Sequence, residues 1–215
     1  MPGGSGLRFI TDFADQAVIL PIFASVTLIL LVARRWRVAL AWLVAVAGVL
    51  GVILVLKVVC YACGWLLPVL SADRLNLQSP SGHVASAAVV YAGLALLVAR
   101  AGAGAGAASR MGVALALSAG VGMVIGVTRA GLGAHSPLEI AVAIVVGSAG
   151  AVLFAGLARP VDGRARWSVI AATVGAWVLF HGVHLPAEAA IRTVLGERLR
   201  QTVAPCQPDP PPARP

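Results

Sequence analysis

Apolar residues in this chain fall in long unbroken runs. Six runs stand out, at roughly 14–33, 38–59, 83–99, 111–128, 138–157 and 167–185, rich in Ala, Val and Leu and divided by short gaps where the arginines collect. A helix of about 20 mainly apolar residues crosses the hydrocarbon of a bilayer. Lipid offers no partner for backbone N–H and C=O groups, so such runs must be helices or the strands of a closed barrel. Continuous apolarity lacks the in–out alternation of barrel strands. The pattern predicts an all-α, polytopic membrane protein whose six transmembrane helices form one bundle over residues 14–185.

The flanks read differently. Residues 1–13 are an N-terminal extension. The first run ends at Arg34-Arg35-Trp36-Arg37 without a small-residue cleavage pattern, as a retained spanning helix does and a signal peptide does not. Between runs two and three, Gly64 to Leu70 is too short to span and contains Pro68, which predicts an interfacial or re-entrant segment. Residues 186–203 mix Ile191, Val194, Leu195 and Leu199 with Arg192, Glu197, Arg198 and Arg200, the composition of a surface amphipathic helix. Residues 204–215 form a proline-rich tail predicted to be disordered.

Composition agrees with a membrane protein. Of 215 residues 60% are hydrophobic and only 11% charged, with a mean hydropathy of +0.94, whereas soluble domains carry about 25% charged residues. The net charge of +8 would suit nucleic acid, but the arginines form no stripe on a polar domain, so no nucleic-acid partner is expected. Arg34, Arg35 and Arg37 follow the first run, Arg100 and Arg110 the third, and Arg159, Arg164 and Arg166 the fifth. By the positive-inside rule these gaps are cytoplasmic. Gaps 60–82 and 129–137 then share the opposite face with both termini, although the C-terminal arginines weigh against that placement. The three cysteines form no disulfide framework, and the CxxC spacing of Cys60 and Cys63 lacks a redox context.

Parity brings chemistry to the non-cytoplasmic face. Lys57 arrives there near the end of the second run, His83 opens the third, Arg129 closes the fourth, and His135 opens the fifth, with Glu139 four residues on. A cation inside an apolar run costs about 2.5–3.5 kcal/mol at the membrane centre and less near its edge, which makes Lys57 a candidate for function. Alone, it could equally snorkel to the interface. Ser81-Gly82 before His83 is either an ordinary N-cap or the amide cradle of an anion site at a helix N-terminus.

Taken in order, Lys57, then Pro80-Ser81-Gly82-His83, then Arg129-x5-His135-x3-Glu139 resembles the type 2 phosphatidic acid phosphatase superfamily of integral-membrane lipid phosphatases. The resemblance covers residues 14 to 185. It implies that His135 is the nucleophile that forms a phosphohistidine, and that His83 protonates the departing oxygen and then helps activate water. It also implies phosphate-binding roles for Lys57, Ser81, Gly82 and Arg129, and an orienting role for Glu139. The residue types suit these tasks. Imidazole titrates near neutrality, a carboxylate on the far ring nitrogen fixes the tautomer, and cations and amides stabilise charge on phosphoryl oxygens.

Two positions depart from the family pattern. Glu139 stands where aspartate is usual, and Ser136-Pro137-Leu138-Glu139 also fits a helix capping box, so orienting and capping are both open. Where the first motif has Arg-Pro seven residues after its lysine, this chain has Gly64-Trp65. Arg74 either supplies that cation from the loop or is a solvated loop charge.

No metal or other cofactor is expected. His181 and His184, with Glu188 beyond, have a conceivable metal spacing but read better as interfacial imidazoles. The expected activity is metal-independent hydrolysis of a lipid phosphate or pyrophosphate. The alternatives are a lipid phosphotransferase with the same intermediate and a non-catalytic membrane protein on the same scaffold.

Overall fold

A computed structural model describes residues 3–63, 79–99, 106–158, 161–191 and 193. Helices account for nearly all of them, and no strand occurs among the described residues. In chain order these are α1 Gly3–Asp12, α2 Gln16–Val32, α3 Trp36–Cys63, α4 Gly82–Val98, α5 Ala107–Gly131, α6 Pro137–Leu157, α7 Gly163–Phe180 and the short α8 Ala187–Ala190.

Each of the six apolar runs is a helix within a few residues of its expected span, with one sizeable shift. The last run, expected at 167–185, is helical from Gly163 to Phe180. Asp162 caps its start by accepting from the Ala165 amide at 2.9 Å, which draws Arg164 and Arg166 into the helix. Extended His181 and left-handed Gly182 (φ 82°) end it. Residues 3–12, read from sequence as an extension, form a helix of their own.

Four stretches are long and apolar enough to cross a membrane, as expected of an integral membrane protein: Gly4–Val32, Trp36–Cys60, Ala107–Gly131 and Pro137–Leu157. α4 is apolar but only 17 residues long, and α7 is diluted by its two arginines. Much aliphatic surface faces outward, including Leu28, Leu40, Val55, Val127, Val145 and Val178, each more than half exposed. In water such a surface would drive association; in lipid it is the contact with the solvent.

α4, α5 and α6 pack on one another, α3 closes the group against α4 and α6, and α2 and α7 form a flanking pair. With no hydrophobic drive between helices in lipid, close packing depends on small residues. Gly147 of α6 is the clearest case, since a Cβ there would lie 2.7 Å from both the Ala85 carbonyl oxygen and the Ala88 Cβ of α4. Around Gly93 the fully buried Trp42 meets Phe154 edge to face, with ring centroids 5.6 Å apart.

The bundle has two polar ends. At one, Arg35 pairs with Asp162 at 2.9 Å, Arg110 donates to the Ala158 carbonyl, and Trp36 and Trp167 are exposed. α2 closes there in a Schellman turn: the Arg35 amide donates to Leu30 O, the Arg34 amide to Leu31 O, and Arg34 itself is left-handed at φ 55°. At the other end lie the starts of α2, α4 and α6, the final turns of α3, α5 and α7, and α1, whose Leu7 abuts Gly131.

Candidate active site

The second end gathers the residues singled out in the sequence. Lys57 is buried six residues before the end of α3, and its Nζ donates to Ser79 Oγ at 2.8 Å. It does not snorkel: its stem runs alongside Gly82, where an added Cβ would meet Lys57 Cε at 3.7 Å. The Ser79 amide in turn donates to Glu139 Oε1, and Glu139 Oε2 lies 3.1 Å from His135 Nδ1. A continuous polar chain therefore joins α3, the segment before α4, and the start of α6. Lys57, Ser79, His135 and Glu139 are all buried.

Local sequence accounts for the placement. Ser81 is the N-cap of α4, fully buried, its Oγ accepting from the Val84 amide at 3.4 Å. That cap fixes where the helix begins, and hence that Gly82 and His83 occupy its first turn. Arg129, half-buried, sits in the last turn of α5; the Ala134 amide donates to its carbonyl, and left-handed Gly133 (φ 65°) turns the chain so that His135 enters the site just ahead of α6. Three helix N-termini, with their outward amides and positive dipole ends, thus surround the same region.

Glu139 makes the capping contacts and also touches the His135 ring. Its amide donates to Ser136 Oγ at 3.3 Å while its Oε2 accepts from the Ser136 amide at 3.0 Å, completing the capping box. The same Oε2 faces the imidazole, and Oε1 reaches Ser79. The methylene by which glutamate exceeds aspartate lets one carboxylate cap its helix, hold a histidine and bridge to the lysine's partner.

Sequence reasoning missed two contributors. Ser79 lies just outside the Pro-Ser-Gly-His string, yet it links Lys57 to Glu139. Asp15, the N-cap of α2, sets its Oδ2 3.4 Å from His83 Nε2. A usable signal existed: acidic groups are scarce in the chain, at 8 of 215 residues, and Asp15 stands at the edge of an apolar run on the same face by parity. Arg74, Gly64 and Trp65 lie outside the described residues, as does the Arg74 question with them.

His181 and His184 belong to the contact between α1 and the end of α7. His181 Nε2 lies 3.0 Å from the Phe9 carbonyl, with its ring against Phe9 and Phe13. His184 Nε2 lies 2.9 Å from Asp12 Oδ1. Among the described residues, no three histidine, cysteine or carboxylate side chains cluster as a metal site would require.

Chemically, the site offers the imidazoles of His83 and His135, each with a carboxylate, a buried ammonium and a set of helix N-terminal amides. Such a set suits an anionic group that exchanges protons. No protein family, curated protein or solved structure matches the chain.

Proposed function

We propose that the chain is a membrane-embedded, metal-independent phosphatase that hydrolyses a lipid phosphate or pyrophosphate through a phosphohistidine at His135. The observation that carries the reading is the buried relay Lys57–Ser79–Glu139–His135, which joins residues distant in sequence at one end of the bundle. Burying a charge without compensation is costly, and a relay of this kind retains it for a purpose or a structural constraint. The Nδ1 contact with Glu139 aims the opposite nitrogen, Nε2, for in-line attack on phosphorus. Lys57, Ser81, Gly82 and Arg129 bind the phosphoryl oxygens, and His83 protonates the leaving oxygen before activating water.

In this reading all six long helices cross the bilayer. The 17 residues of α4 rise about 26 Å, and its caps, buried Ser81 and exposed Ala99, extend it toward the interfaces. The arginine-rich end faces the cytoplasm by the positive-inside rule, which puts the site on the non-cytoplasmic face of a cell membrane, within reach of lipid head groups.

The test is release of phosphate from a panel of lipid phosphates and pyrophosphates by purified protein, beside a His135→Ala control. Wild-type turnover that falls by about 10³-fold or more in the control supports the reading; a control as active as wild type removes His135 from the chemistry. Labelled phosphate recovered on an alcohol acceptor, and not in water, would make the protein a phosphotransferase instead.

A further inference from the structure

We propose that Asp15 is the positioning residue for His83, so that each histidine carries its own carboxylate and the two pairs engage opposite ring nitrogens. This rests on the phosphatase reading above and adds to it a residue outside the motifs.

The carboxylate of Asp15 is held independently of His83. Its Oδ1 accepts from the Ala17 amide at 2.8 Å and from the Leu185 amide at 3.4 Å, while Oδ2 faces His83 Nε2 at 3.4 Å. Capping α2 requires only the first of these contacts. The Asp15 side chain is 5% exposed and that of His83 19%, so the pair is enclosed on the aspartate side and open on the other.

The neighbouring chain fixes the register of the pair. Gln16 Nε2 donates to Ser86 Oγ at 3.2 Å, and the Ser86 hydroxyl donates to the His83 carbonyl at 3.3 Å. The Tyr91 hydroxyl donates to the Phe13 carbonyl. The corner between α1 and α2 is thus fastened to the same face of α4 that bears His83, and the carboxylate and imidazole cannot drift apart without breaking these bonds.

The ring geometry divides the labour. Glu139 holds His135 through Nδ1, which assigns Nε2 to nucleophilic attack. Asp15 holds His83 through Nε2, which assigns Nδ1 to proton transfer. In the first step the P–N bond to His135 forms as the ester P–O bond breaks, and the Nδ1 proton of the His83 imidazolium passes to the leaving oxygen. In the second, neutral His83 takes a proton at Nδ1 from the attacking water, the P–N bond breaks, and inorganic phosphate departs with both histidines restored. Asp15 stabilises the imidazolium at the start and end of the cycle and keeps Nε2 turned away from the substrate.

Leaving-group dependence tests this directly, because a group that departs without a proton has no need of His83 or of its carboxylate in the first step, the step that kcat/KM reports. Full-length protein in detergent micelles is assayed on dioleoyl phosphatidate and on the analogue with sulfur in place of the bridging oxygen, whose thiolate leaves unprotonated. Asp15→Asn keeps a capping side chain, so α2 is retained. The expected result is a fall in kcat/KM of about 10²-fold on phosphatidate and less than about threefold on the sulfur analogue. Asp15→Glu should recover at least about tenfold of the loss. Equal losses on both substrates would make Asp15 a structural cap only, and an Asp15→Asn protein as active as wild type would remove it from catalysis. If Asp15→Asn does not fold, Asp15→Ser, also a capping residue, is held to the same ratio. Wild-type protein inert on these two and on every lipid phosphate and pyrophosphate of the panel would instead defeat the phosphatase reading, and this proposal with it.

Discussion

Where α2 stops and α7 starts, Arg35 and Asp162 meet at 2.9 Å with 45% of each side chain exposed. At the opposite end His135 and Glu139 meet at 3.1 Å with only 3% and 6% exposed. The contacts look alike as distances, yet solvent separates their meanings. An exposed pair is screened and adds little to stability, so the arginine end needs no explanation beyond topology. Charges taken out of water are retained only where bonding compensates them, and breaking a buried pair costs about 3–5 kcal/mol. Burial, more than proximity, is what distinguishes the second end and what the proposed chemistry there rests on.

Substitutions at the two ends should therefore differ in kind. The largest effect beyond the histidines is expected at Lys57. Lys57→Met keeps the stem beside Gly82 but removes the ammonium, and should lower kcat/KM on a lipid phosphate by about 10²-fold. Unchanged kinetics would mean that the lysine is structural. Between the ends, Gly147→Ala drives a methyl into the Ala85 carbonyl and should destabilise the bundle by about 1–3 kcal/mol, read as a lower thermal midpoint in detergent. Because α4 carries His83 and α6 follows His135, the same change should reduce activity. Full activity with normal stability would show that the two helices separate without consequence.

The smallest effect is expected at the arginine end. Arg35→Gln should leave activity and the thermal midpoint at neutral pH unchanged within error. The Ala165 amide and the Arg35 guanidinium hold the Asp162 carboxyl below its ordinary value of 3.8. A depressed folded value adds stability above the ordinary value and loses it as pH falls through the lowered one. The variant should therefore match wild type from about pH 5 to 8, with any difference from wild type shrinking as Asp162 protonates in stronger acid. A loss of activity at neutral pH would mean that this end communicates with the site.

The helical spans were legible because lipid imposes one rule on every apolar run, and α2 through α6 follow it closely. The convergence of Lys57, Ser81, Gly82, His83, Arg129, His135 and Glu139 on one end was also legible, since counting crossings assigns each run's edge to a face. What the sequence concealed depended on contacts between distant segments. Asp15 meets His83 only because α2 docks beside α4, and a pairing across 68 positions leaves no local spacing to read. Ser79 looks like loop composition until Lys57 and Glu139 are seen to flank it. α1, with three glycines in its ten residues, has weak helix propensity and is held by its packing on α5 and by the aromatic contacts of Phe9 and Phe13. The start of α7 moved because a capping aspartate outweighed the two arginines that follow it.

The most direct measurement is the state of the enzyme during turnover. Wild-type protein mixed with lipid phosphate labelled in its phosphoryl group and quenched within milliseconds should carry label that survives alkali and is released by acid, the signature of a phosphohistidine, mapping to a peptide containing His135. The label should be absent from His135→Ala. Rapid phosphate release by wild-type protein with no such adduct, or an adduct that persists in His135→Ala, would contradict the account.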